Sequence, residues 1–252
     1  MRRLLQSRAS GFALLAALLA LWQVSALYWT SSPNWPPLSA VAAALASGLA
    51  SGELLQVFAA SLARMAAGYL AGVAAALVIG LLMANTRLAR AALEPLVELL
   101  RPIPIPAIVP PLILLLGVDD QLKIFVIAFS VFFPVLVNTI AGVRAVEPVA
   151  IDVARTLRVG ALRTVRKVVL PASLPYVLAG MRVSLALALI VTVVAEMIAG
   201  ASGIGYFLVT TQYAMRAADM YAAIVLLAAL GYVLNALFLL VERNVLHWYH
   251  RV

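Results

Sequence analysis

Five ionisable residues stand inside apolar windows where charge is expensive: Arg64, Glu98, Arg101, Arg182 and Glu196. Such a side chain in hydrocarbon costs at least about 2.5–3.5 kcal/mol on insertion scales, so it faces a bundle interior or a water-filled cavity. Residues of this kind line solute pathways. The alternative is that each lies near a helix end and snorkels, or pairs for structural reasons. Glu98 and Arg101 are three apart, share a helix face and can pair. Three arginines against two glutamates suit an anionic cargo. The stretch "RPIPIPAIVPPLILLLG" at 101–117 adds a backbone constraint. Pro102, Pro104, Pro106, Pro110 and Pro111 lack backbone donors and cannot all sit in a regular helix. Irregular backbone at membrane depth is tolerated where protein buries it or it lines a cavity. The stretch therefore reads as a broken helix lining a pathway, with Pro104 and Pro106 on it; a merely kinked helix is the alternative.

A second cluster has different chemistry. "DVARTLRVGALRTVRKVVLP" at 152–171 carries four arginines and a lysine in an otherwise oily chain. From Pro148 onward, Val149, Ile151, Val153, Ala154 and Leu157 recur at helical spacing, and Val159-Gly160 offers a break. A second short helix is expected over 161–169, ended by Pro171. Two short helices, apolar on one face and basic on the other, suit a docking surface. A solvated basic loop lying on anionic lipid is the other reading.

Enzymatic signatures are missing from the sequence. It has no G-x-x-x-x-G-K and no H-E-x-x-H. The two histidines, His247 and His250, sit beside Trp248 and Tyr249 and read as an interfacial tail. "GASGIGY" at 200–206 is glycine-rich but follows an apolar span, so it reads as a flexible re-entrant turn and not as a phosphate loop. The absence of Cys excludes disulfides, thiolate metal sites and a Cys nucleophile. No catalytic residue and no metal site are expected.

The elements that must hold these groups are membrane helices. The 252 residues are 65% hydrophobic and 11% charged, far from the roughly 45–50% and 25% of soluble domains. Six windows approach the roughly 20 apolar residues a span needs: about 11–29, 57–84, 93–116, 122–142, 172–198 and 218–240. The first has a basic start and a small-residue Val24-Ser25-Ala26 site, so a cleaved signal peptide is conceivable. Its length, with Trp22 and Trp29 as interface anchors, favours a retained helix. Residues 31–52 are expected outside, with a short interfacial helix. Asp119 and Asp120 open the fourth window and read as N-cap and dipole partners, with a cation site as the alternative.

Basic residues set the orientation. Arg2, Arg3, Arg8, Arg87, Arg90, Arg144, Arg155, Arg158, Arg163, Arg166, Lys167, Arg243 and Arg251 fall on one side, thirteen of the 18 Lys and Arg. Both termini are therefore expected in the cytoplasm. The net charge of +8 reflects topology in the lipid bilayer, and no nucleic acid partner is implied.

The block at 152–171 resembles the EAA loop of ABC-importer permeases, whose pattern is E-A-A, three residues, Gly, nine residues, Ile, one residue, Leu-Pro. Asp152 stands for the Glu and Val153 for the first Ala. Ala154 matches the second Ala, Val168 stands for Ile, and Leu170-Pro171 match. "SLARMAAGYLAG", "LLRPIPIPAIVPPLILLLG", "FFPVLVNTIAGVRAVEP" and "LPYVLAGMRVSLALALIVTVVAEMIAGASGIGYFL" resemble the sulfonate/nitrate/taurine-type branch. The resemblance runs from about residue 57 to the C-terminus.

It implies an all-α, type I importer permease in one transmembrane domain spanning 1–252. Residues 1–56 would be an N-terminal helix and external segment, 57–245 the permease core, and 143–171 the cytoplasmic coupling loop. It further implies an inner-membrane homodimer, cytoplasmic ATPase subunits that bind ATP and Mg, and an external substrate-binding protein. Asp152, Ala154, Arg155, Leu157, Val168, Leu170 and Pro171 inherit candidate coupling roles, with Arg155 placed to pair with Asp152. The family's Gly position is Arg158 here. The turn glycine is accordingly expected at Gly160, with Arg158 as a specificity contact. The cargo would be a small anionic or polar solute such as a sulfonate, taurine or nitrate, or else a vitamin precursor such as a pyrimidine or riboflavin. A gradient-driven secondary transporter explains the buried charges and broken helix equally well, but not the Leu-Pro-ended block.

Overall fold

The structure is a computed structural model that describes residues 8–30 and 32–248. Every element among them is helical. In chain order these are α1 (Arg8–Val24, continuing as a π-helical turn over Ser25–Trp29), α2 (Leu38–Ala50), α3 (Glu53–Asn85) and α4 (Arg87–Leu100). There follow α5 (Ile105–Leu116), α6 (Asp120–Arg144), α7 (Pro148–Thr156) and α8 (Ala161–Thr164). A π-helical turn over Val165–Val169 leads into α9 (Leu170–Ala199), and α10 (Ile204–Tyr213) and α11 (Ala217–Val245) complete the order. Arg2, Arg3, Tyr249, His250 and Arg251 lie outside the described residues.

Five of the six expected spans are single apolar helices. The sixth is the pair α4 and α5, bent by 102°. The break falls at Arg101–Pro104. Pro104 holds an extended conformation (φ −65°, ψ 127°) before α5, and Pro106 occupies its first turn, where a missing N–H costs no helical bond. Pro110 and Pro111 lie within α5, so the prolines break the span once and not throughout.

The second loop helix differs from expectation. It does not end at Pro171. Instead α8 runs through the π turn into α9 without leaving helical dihedrals. Pro171 has no N–H and its ring crowds the preceding turn. The wider π turn just before it absorbs both effects, and the loop's second half becomes the start of a membrane helix.

The core is α6 sandwiched between α3, which runs parallel to it, and α9, which runs antiparallel. Gly68, Gly72, Ala76 and Gly80 form a four-residue repeat on α3. A Cβ on Gly68 would lie 2.7 Å from Ile127, and one on Gly80 would lie 2.9 Å from Thr139. Water does not drive helix association in lipid, so small residues that let backbones approach closely are the natural adhesive. Gly142 and Gly180 play the same part between α6 and α9. Buried hydroxyls bond carbonyls of their own helix: Thr139 to Val135 O (2.7 Å) and Thr192 to Ala188 O (2.7 Å).

Around this core, α1 and α11 are almost bare, each with 6% of its apolar window buried. The expected short helix in 31–52 exists as α2, but it packs along α11 with Val41 buried instead of lying free on a surface. Trp22, Trp35 and Tyr221 cluster in tilted and edge-to-face contacts at centroid distances of 5.5–6.2 Å and pin the end of α1 to the start of α11. Trp22 Nε1 donates to Pro36 O at 3.1 Å. Trp29 is exposed.

Candidate functional site

Arg64 on α3 is 8% exposed and bridges two acids. Its Nε donates to Asp120 Oδ1 at 2.6 Å and its Nη1 to Glu196 Oε1 at 2.8 Å. Nη1 and Nη2 also reach Ser202 O (3.2 Å) and Ser202 Oγ (2.7 Å). Glu196 on α9 is fully buried. It accepts from Ser61 Oγ (2.7 Å) and from the Gly205 N–H (3.1 Å), while the Ile204 N–H donates to Ser61 Oγ (2.8 Å). Ser61 and Glu196 thus take up the free first amides of α10, as a capping residue and a dipole anion would. Lys123, 2% exposed, lies 3.6 Å from Asp120, so two cations face two anions.

The 200–206 stretch is a fitted lid over this cluster and not a flexible turn. Gly203 holds φ +102°, and any Cβ there would enter the Glu196 carboxylate. Asp119 occupies the N-cap position of α6 without a side-chain cap bond. Asp120, expected as a dipole partner, is committed to Arg64 as well. Ser61, Asp120, Lys123 and Ser202 are the members that sequence reasoning missed. Ser61 stands three residues before Arg64, on the same helix face, and that spacing could have flagged it.

Arg101 lies elsewhere, at the end of α4 where the broken span turns. Glu98 is three residues earlier, yet no ion pair joins the two among the described residues, and Glu94 pairs instead with Arg90 at 3.1 Å. Arg101 borders two cavities. One, of about 420 Å³, is walled by Phe129, Phe133, Val183 and Leu187, with Asn138 among its few polar groups. The other, of about 260 Å³, holds Glu94, Glu98 and Arg144. Arg182 is apart from both; it is exposed and donates to Asn235 of α11 at 3.3 Å. The five charges therefore form no single site. Arg64 and Glu196 make one, Glu98 and Arg101 flank another, and Arg182 tethers α11.

The basic block folds as a compact element. Pro148 starts α7, and Ala154 is buried at 5% while Val149, Val153 and Leu157 stand 68%, 52% and 71% exposed along the other face. Asp152 and Arg155 pair at 3.3 Å, both largely exposed, so the pair contributes little stability.

The end of α7 corrects the expectation about glycine. The Arg158 N–H donates to Arg155 O and the Val159 N–H to Ala154 O, both at 2.9 Å. This is a Schellman closure with Arg158 at its left-handed position. Arg158 has φ +53°, and Gly160 is not among the positive-φ glycines. The turn has not moved; an arginine occupies it. The same closure ends α10, with Met215 at φ +57°. Val168, on the π turn, is half-buried, and Leu170 (39% exposed) and half-buried Pro171 open α9.

With this arrangement in place, residues 68–247 match the family described as binding-protein-dependent transport system inner membrane component. The chain belongs to that family. It is a multi-pass permease of the ABC-importer type, in the sulfonate/nitrate/taurine branch. It is 34% identical to the putative aliphatic sulfonates transport permease protein SsuC of Bacillus subtilis over 94% of this chain and 87% of that one. It is 30% identical to the taurine transport system permease protein TauC of Escherichia coli over 94% and 89%. In fold it is similar to the inward-facing MetNI methionine ABC transporter, with TM-score 0.66 and 20% identity, covering 76% of this chain and 95% of that chain.

Proposed function

We propose that this permease forms half of the pore of an ATP-driven importer for a small anionic or polar solute of the sulfonate, taurine or nitrate kind. Two copies enclose the pathway, and an external binding protein delivers the cargo. Cytoplasmic ATPase subunits, which bind ATP and Mg, dock on α7. Both termini lie on the cytoplasmic side with α7. The names of the relatives support the cargo class. The observation that carries the coupling role is the exposed apolar face of α7, formed by Val149, Val153 and Leu157 beside Arg155 and Arg158. An apolar helix face rimmed with charge fits a groove on a partner protein.

The test uses those outward residues. Ala154 is unsuitable because it is buried and its replacement disturbs the loop itself. Val153→Asp should abolish co-purification with the ATPase and ATP-dependent uptake in proteoliposomes, while the far-ultraviolet circular dichroism stays unchanged. Normal ATP-driven uptake by that variant overturns the docking assignment. Uptake by the wild-type chain alone, driven only by an ion gradient, overturns the importer reading.

A further inference from the structure

Arg101 presents a charge without a counterion. No side chain or carbonyl accepts from its guanidinium among the described residues, although it sits at the bend of a broken membrane helix. Arg101 is exposed on the single chain, and an unpaired guanidinium is free to pair with an anion in the adjoining space. That space exists: Arg101 and Val137 are the two residues shared by the 420 Å³ and 260 Å³ cavities, so Arg101 stands at the neck between them.

The two cavities differ in chemistry. The larger one is lined by aromatic and aliphatic side chains, and its polar donors are few. Asn138 uses one amide hydrogen on Pro134 O at 2.8 Å, and the other remains for a ligand. An apolar groove with one guanidinium at its end matches a solute with a compact oxyanion head and a short hydrocarbon tail. It matches a bare inorganic anion less well, because the walls would desolvate that ion without contacting it usefully. The smaller cavity, on the side toward α7, presents Glu94 and Glu98. An anion there is repelled, and Glu98, one turn before Arg101, can take over its guanidinium.

We propose that Arg101 is the anion-holding residue of the translocation path for a small organic oxyanion, and that Glu98 releases the anion by displacing it from Arg101. The proposal rests on the anionic-cargo reading above and assigns that cargo a residue and a direction. In this scheme the bend at 101–104 holds the guanidinium at the junction. The planar fork of Arg binds a sulfonate or carboxylate through two parallel hydrogen bonds, which a Lys ammonium cannot reproduce.

The experiment measures uptake of labelled ethanesulfonate and of nitrate by the full importer, with its binding protein and ATPase, in proteoliposomes. The wild type should take up ethanesulfonate in preference to nitrate. Arg101→Met should lower ethanesulfonate uptake more than tenfold, with ATPase co-purification unchanged. Arg101→Lys should retain an intermediate rate, which keeps the test informative if the methionine variant fails to assemble. Glu98→Gln should slow turnover while tightening ethanesulfonate binding to the importer held without nucleotide. Ethanesulfonate uptake by the wild type that persists undiminished in Arg101→Met and Arg101→Lys overturns this assignment and leaves the anionic-cargo reading standing. A wild-type importer that moves neither anion overturns both.

Discussion

Removing Arg64 should destabilise the permease more than removing the charge of Asp120, although Arg64 touches both acids. Arg64→Met deletes bonds of 2.8 Å to Glu196 and 2.6 Å to Asp120. The consequences at the two ends are unequal. The Asp120 side chain is 59% exposed and returns to solvent. Glu196 is wholly buried and keeps only Ser61 and the Gly205 N–H as donors. Leaving one member of a buried pair uncompensated costs about 3–5 kcal/mol. Asp120→Asn removes a mostly exposed partner from Arg64, worth about 1 kcal/mol or less. It also takes from the buried Lys123 its carboxylate at 3.6 Å, a further loss of about 1–2 kcal/mol for a contact too long for a hydrogen bond, so its total stays below that of Arg64→Met. Glu196→Gln removes the buried charge, leaves Arg64 its Asp120 bond, and should cost about 1.5–3 kcal/mol, the range of a hydrogen bond to a charged group. The double variant Arg64→Met/Glu196→Gln has neither charge, so it should be more stable than Arg64→Met alone. These residues meet in one network, and non-additivity of this sign is the signature of an orphaned charge. Reversible denaturation in mixed micelles, followed by circular dichroism, gives the four values. Equal costs for Arg64→Met and Asp120→Asn would refute the reasoning, as would a double variant less stable than the Arg64 single.

Two further outcomes follow from backbone and packing. Arg158→Gly should stabilise the end of α7 by about 1 kcal/mol, because a non-glycine residue in the left-handed region carries roughly that cost; slower hydrogen exchange at Arg158 and Val159 checks it, and unchanged or faster exchange counts against it. Gly72→Leu should cost several kcal/mol, since its side chain must enter the α6 backbone at Ala128, whereas Gly11→Leu on α1, with nothing within 4 Å, should stay within about 0.5 kcal/mol. Thermal unfolding of the two purified variants decides between them, and similar melting temperatures would contradict the close packing of α3 on α6.

The parts that were legible in the sequence are those governed by local rules. Apolar windows place the spans because hydrocarbon thickness fixes their length. Pro102 and Pro104 mark the break in the third span because the missing donors act where they stand. The four-residue repeat Gly68, Gly72, Ala76 and Gly80 was open to view but carries no charge to attract notice. What could not be read depends on distant partners. Asp120 has the look of a helix-start acid, and only the meeting of α3, α6 and α9 makes it a partner of Arg64, 56 residues away. Arg158 was misjudged because residue preference suggested moving the turn to the nearest glycine. The carbonyls of Ala154 and Arg155 fix the turn instead, whatever side chain stands there.

The misreading of Pro171 has the largest consequence. A loop that ended there would be hinged to the membrane domain. The observed helix continues from Ala161 through the π turn to Ala199, a rod of roughly 58 Å at 1.5 Å per residue. Its near end carries Val168, Leu170 and Pro171 and is joined to α7 by the turn at 157–160. Its far end carries Glu196, held by Ser61, Arg64 and the amides of α10. Under the proposed docking on α7, a displacement reaches α9 through the short turn at 157–160 and α8. The other end is held by the buried ionic cluster. The groove walled by Val183 and Leu187 of α9 and by Phe129 and Phe133 of α6 lies between those two ends. Under the proposed docking, movement of the near end of α9 would change the width of this groove, so one helix joins the proposed docking element to the space beside Arg101.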